Sequence, residues 1–275
     1  MARRRLAWLR PPKAPADGVM SLADHLRELR YRLIVSVIAI VGFAVLAAVF
    51  YDLLYQIMMR PYQQALSMLA ESNPSIDTTT VISDVTGPLM LAIKICMVAG
   101  LVLSSPIWVY QIWAFIVPAL LAKEKKWALA FIAAAVPLFL LGVAVGYYIM
   151  PQGIVVMLSF TPDSVPVLNL LDVGPFLELM LRLMVIFGLG FLLPVVVVGL
   201  NLVGVVKAKQ LAKARTYVIF GIFVFGAAAT PSSDPFSMLA LAMPMTVLYL
   251  IAEFIARIHD RRVLARAAQA EALAG

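Results

Sequence analysis

Leu33-Ile-Val-Ser-Val-Ile-Ala-Ile-Val-Gly-Phe-Ala-Val-Leu-Ala-Ala-Val-Phe-Tyr51 carries no charged side chain over its whole length. A helix needs about 20 predominantly apolar residues to cross the hydrocarbon of a bilayer, and this run meets that length. Five further candidates lie downstream: Pro88–Val117, Trp127–Met150, Pro175–Leu202, Tyr217–Ala229 and Phe236–Ile255. The fifth is short and requires local thinning of the bilayer or a protected position. Runs of this length exceed barrel strands, and lipid offers the backbone no hydrogen-bond partner, so they are expected to be helices. The composition agrees. Hydrophobic residues make up 63% of the 275 and charged residues 13%, with a mean hydropathy of +0.96. A soluble fold must wet its surface and cannot hide that much apolar area.

Upstream of the first run, Ser21–Arg32 reads as a short amphipathic helix lying along the membrane surface. Ser21 and Asp24 make a capping-box-like start, and Leu22, Leu26, Leu29 and Leu33 share one face. Residues 1–20, basic and rich in proline, are expected to form a flexible, uncleaved cytoplasmic tail: no apolar stretch follows until Leu33, and that stretch is too long for a signal-peptide core. The expected organisation is this tail, a six-span membrane domain over 21–257, and a second cytoplasmic tail over 258–275.

Nineteen of the 22 Lys and Arg fall in the N-terminal segment, the loops after the second and fourth runs, and the C-terminal tail. The three opposite loops hold one base, Arg60, with the acids Glu71, Asp77, Asp84, Asp163, Asp172 and Asp234. The asymmetry predicts that both termini are cytoplasmic. It also explains the net charge of +7 by topology, so no nucleic-acid partner is called for. Proline recurs in or beside the runs, at Pro106, Pro118, Pro137, Pro151, Pro194 and Pro244, which predicts kinked helices. Whether these form a curved wall or a kinked bundle is open at this level.

Chemistry-bearing residues are few. Cys96 stands alone, the only histidines are His25 and His259, and the sequence contains no HExxH, GxSxG or phosphate-loop pattern. An enzyme is therefore not expected, nor a cofactor or metal. Within the runs, Lys94, Glu178 and Arg182 are the ionisable candidates. Glu178 and Arg182 are spaced for an ion pair on one helix face, read either as self-neutralising or as a polar patch facing a wet cavity. Lys94 is placed to snorkel. Glu28 and Glu124 stand among basic residues on the cytoplasmic side. They form weak surface pairs, Glu28 with Arg32 at i+4, or they accept guanidinium groups from a partner, where two-pronged geometry selects arginine over lysine. A small-solute transporter is the alternative function; the scarcity of Asn, Gln, Asp and His in the runs and the lack of an internal repeat weigh against it.

Several motifs together resemble the TatC family. His25-Leu-Arg-Glu-Leu-Arg-Tyr-Arg32 is similar to the family's opening signature. Ser104-Ser-Pro-Ile-Trp-Val-Tyr-Gln-Ile-Trp-Ala-Phe115, then Pro118-Ala-Leu120 and Glu124, resemble its second span and following loop. Arg60-Pro61 resembles the first outer loop; Phe187-Gly188 with Phe191 and Pro194 the fourth span; Thr230-Pro231, Asp234 and Pro244-Met245 the last outer loop and sixth span. The resemblance implies a glove-like, six-helix receptor in the bacterial plasma membrane. Such a receptor binds twin-arginine signal peptides at its cytoplasmic face. With TatA- and TatB-type single-span partners, and as a homo-oligomer within a larger complex, it exports folded proteins at the expense of the proton-motive force. It implies that Glu28 and Glu124 contact the arginine pair with support from Arg30 and Phe115, and that Pro61 and Asp234 serve the outer loops and assembly. The chain departs from the family at Leu192, where relatives carry a glutamate ahead of the fourth-span proline, and at Leu250, with Glu253 one turn on. Glu178 substitutes for the first of these only if it faces the same cavity.

Overall fold

The computed structural model describes residues 22–72, 78–81, 85–116, 125–158, 169–202, 204–229 and 235–274. These form eight helices and one short ribbon: α1 (Leu22–Val49), α2 (Tyr51–Ser72), β1 (Thr78–Val81), α3 (Gly87–Leu103), α4 (Ser105–Ile116), α5 (Lys125–Leu158), β2 (Asn169–Asp172), α6 (Val173–Leu202), α7 (Ala208–Ala229) and α8 (Pro235–Ala274). Five helices are long and apolar enough to cross a membrane: α1, α5, α6, α7 and α8. There are six spans if α3 and α4, which meet at 60°, count as one broken span. The expected all-helical membrane class holds. The ribbon adds to it a parallel pairing of Thr78–Val81 with Asn169–Asp172.

Three boundaries differ from expectation. The surface helix expected over Ser21–Arg32 is not separate, because α1 runs unbroken from Leu22 into the apolar run. No Gly or Pro interrupts Leu22–Val41, and each further residue of a growing helix adds a hydrogen bond without a new nucleus. The fifth helix begins at Ala208 rather than Tyr217, because its first turn is capped from elsewhere: the Ala208 N–H donates to the Asp260 carboxylate at 2.8 Å. Finally, Pro61 does not stand in an outer loop but inside α2, where it is buried with Met58, Tyr62 and Ala65. That spacing is one helical face. Proline cannot donate to the carbonyl four residues back, and the Tyr147 hydroxyl takes over, donating to the Ile57 carbonyl at 2.7 Å. Residues 1–21, among them the expected N-terminal tail, lie outside the described residues, as do Glu124 and Asp234.

The described residues divide into two compact units. One is drawn from the described residues within Met1–Leu54 and Ala92–Val136, the other from those within Tyr55–Leu91 and Pro137–Gly275. In the first unit α3 meets α1 backbone to backbone at Gly100, where an added Cβ would stand 2.6 Å from the Ile40 carbonyl oxygen. The break between α3 and α4 buries Ser104 and Ser105. Across it the Trp108 indole N–H donates to the Leu101 carbonyl at 2.9 Å, supplying a bond the interrupted helix lacks.

The second unit is built around α6, whose Leu177, Met180, Leu183, Phe187 and Phe191 are almost wholly buried. Gly142 and Gly146 of α5 let that helix touch it: Cβ atoms there would lie 2.5 Å from the Phe187 oxygen and 2.8 Å from the Met184 Cα. Small residues four apart commonly seat such close crossings in membrane helices. Asp172 caps the start of α6, accepting from the Gly174 N–H at 3.0 Å. At its end Gly204, at φ 82°, turns the chain, with the Val205 N–H returning to the Leu200 carbonyl at 3.0 Å.

Candidate functional site

The first unit assembles one polar and aromatic cluster from two helices. His25, Glu28 and Arg32 recur along one side of α1 at helical spacing, as Gln111 and Phe115 do on α4. The His25 ring stacks on Phe115, centroids 4.6 Å apart and planes at 21°. Arg32 Nη1 donates to Gln111 Oε1 at 3.3 Å. Behind this, Trp113 is buried and stacks on Phe131 at 3.7 Å.

Glu28 sits within the cluster with only 7% of its side chain exposed. A carboxylate offers about four acceptor positions, yet the use of its two oxygens is unequal. Oε1 accepts from Arg32 Nε at 2.9 Å and also from Arg32 Nη2. Oε2 is buried and, among the described residues, has no hydrogen-bond partner. An anionic oxygen withdrawn from water without a donor is costly. The arrangement thus favours a cationic donor that engages both oxygens.

The other expected site residues distribute as follows. Arg30 points outward from α1 and is exposed; Phe115 is at the cluster through His25. Lys94 is exposed on α3. Glu178 and Arg182 pair at 3.6 Å with about half of each side chain exposed. Leu192 is half-buried on α6.

Two sets of contacts escaped the sequence reading. That of Gln111 was one, since it reaches Arg32 across 79 positions and no local spacing announces it. The other lies in the second unit, where Glu253 is buried on α8. It accepts a two-pronged pair from Arg215 of α7, Nε to Oε2 at 2.9 Å and Nη2 to Oε1 at 2.8 Å, and a further bond from Arg257. One turn earlier the Tyr249 hydroxyl donates to the Leu211 carbonyl at 3.0 Å, and one turn beyond Arg257, Asp260 binds the Asn201 amide at 3.0 Å as well as capping α7. These bonds fasten α8 to α7 and to the end of α6.

Residues 24–244 match the family described as Sec-independent protein translocase protein, TatC. A TatC protein of Frankia casuarinae is 35% identical over 253 residues, covering 91% of this chain and 69% of that protein. One of Escherichia coli K12 is 32% identical over 244 residues, 88% of this chain and 90% of that protein. A crystal structure described as the twin arginine translocase receptor TatC in DDM superposes with a TM-score of 0.70 at 33% identity, covering 84% of this chain and 99% of the other. These matches decide for a translocase component over a small-solute transporter, and with the apolar helices they make the chain a multi-pass membrane protein. This chain belongs to the TatC family of Sec-independent protein translocase proteins.

Proposed function

We propose that the chain is the receptor subunit of a twin-arginine translocase and takes up the paired arginines of a signal peptide at the Glu28 cluster. The observation that carries this reading is the withdrawn Glu28 carboxylate, one oxygen of which is unpartnered among the described residues. A guanidinium presents parallel N–H groups matched to a carboxylate, whereas an ammonium is a point charge. The His25–Phe115 stack supplies a flat apolar shelf beside it. Glu124, immediately ahead of α5 in sequence, is the proposed second acceptor, with Arg30 at the rim. Pro61 and Asp234 are proposed to serve assembly on the opposite side. Partners are TatA- and TatB-type single-span proteins and further copies of this chain, and export of folded passengers draws on the proton-motive force.

Binding of a twin-arginine peptide to the purified protein in lipid nanodiscs tests this directly. Glu28→Gln and Glu124→Gln are each expected to weaken binding about tenfold, the worth of one charge-assisted hydrogen bond. Unchanged affinity in both variants removes the site assignment.

The reading also needs the α1 start and the α8 end in the cytoplasm of a bacterial plasma membrane, as the Lys and Arg distribution suggests. In a Cys96→Ala background, single cysteines placed within residues 1–20 and 265–275 are expected to resist an impermeant thiol reagent in intact cells and to react after lysis. Labelling in intact cells places the receptor face on the wrong side.

A further inference from the structure

We propose that Arg32 is an internal substitute for the ligand's guanidinium, and that the requirement to exchange it for an incoming arginine is what makes the Glu28 site discriminate against lysine. This rests on the receptor reading above and adds to it the origin of the selectivity.

The observations are geometric. Both donors of the Arg32 edge converge on a single oxygen of Glu28, leaving Oε2 without a donor among the described residues. The favourable guanidinium–carboxylate arrangement uses both oxygens through two parallel bonds, so the internal pair is a compromised one. The third nitrogen of Arg32 donates to Gln111 across the helix pair at 3.3 Å, which anchors the guanidinium in this orientation. The arrangement has two consequences. An arginine from outside can form the full two-oxygen pair that Arg32 does not, so exchange is favourable. A lysine brings one compact, strongly hydrated charge and cannot repay the loss of the internal bonds. After exchange Arg32 retains Gln111 as its acceptor. Gln111 is therefore a positioning residue, acting through Arg32.

Affinities of a twin-arginine peptide and its twin-lysine counterpart for the full-length protein in nanodiscs test this, with folding of each variant followed by size-exclusion profile and thermal midpoint. Arg32→Gln is expected to raise twin-lysine affinity about tenfold and to reduce the arginine-to-lysine preference by a similar factor, since Glu28 no longer has an occupant to displace. Arg27→Gln removes the same charge from an exposed position of α1 and is expected to leave the preference unchanged. Gln111→Met frees Arg32 to take both oxygens and is expected to weaken twin-arginine binding about threefold to tenfold. The double variant Arg32→Gln/Gln111→Met is expected to match Arg32→Gln alone. An Arg32→Gln protein that keeps the wild-type preference, or loses both peptides equally, overturns the exchange. So does a double variant whose effects simply add. A wild-type protein without preference for the twin-arginine peptide overturns the receptor reading itself, a separate result.

Discussion

Gly142→Val is expected to destabilise the purified protein by about 3 kcal/mol or more, beyond the usual range for an overpacked side chain, because what it meets is backbone. The new Cβ would stand 2.5 Å from the Phe187 carbonyl oxygen, 2.8 Å from its carbon and 2.9 Å from the Gly188 Cα. No rotamer change relieves a collision with a neighbouring helix's main chain. α5 and α6 must therefore separate along a crossing that Gly146 also occupies, with the Gly188 side filled by the Phe139 ring. Dispersion contacts are lost all along that seam, and in lipid they are a large part of what holds helices together. The check is the thermal midpoint of aggregation in detergent, with Gly42→Ala and Gly221→Ala alongside. An added Cβ at either of those meets nothing within 4 Å, and alanine improves on glycine by about 1 kcal/mol within a helix, so both are expected to be neutral or stabilising. Equal behaviour of all three variants removes the close crossing as a source of stability.

Glu253→Ala is expected to cost about 2–3 kcal/mol. Breaking a buried pair by deleting one member usually costs more than the pair itself is worth; the figure sits at the low end because Arg215 and Arg257 keep 42% and 45% of their side chains exposed and can be solvated once released. The acid is 1% exposed and accepts from α7 and from its own helix at once, so its removal unfastens two elements. Leu264→Ala, on an exposed position further along α8, is the control expected to change little. Limited proteolysis of the α6–α7 connection should quicken in Glu253→Ala; an unaltered digestion rate together with an unaltered midpoint counts against the fastening.

The helix plan and one half of the site were legible in the amino-acid order because they depend on short spacings. Apolar length marks the spans. The i, i+4 relation of Glu28 and Arg32 emerges from the 3.6-residue period, and the structure has that pair. What stayed hidden depends on distance along the chain. Gln111 on Arg32 and Arg215 on Glu253 join residues 79 and 38 positions apart, and no local pattern distinguishes these polar side chains from solvated ones. α2 is an intermediate case. Its buried Met58, Pro61, Tyr62 and Ala65 carry a helical period, but a proline in the middle reads as a break unless the orphaned Ile57 carbonyl is known to have Tyr147 as its donor.

The pairing of β1 with β2 bears on the order of events during synthesis. Thr78 leaves the ribosome roughly ninety residues before its partner Asn169, and contacts of such separation form late because the intervening loop must first be closed. Three helices, α3 to α5, emerge in between. The ribbon therefore acts as a latch that can shut only after the intervening helices have been made, and a nascent chain halted before Asp172 would carry an unsatisfied strand edge open to capture by other polypeptides.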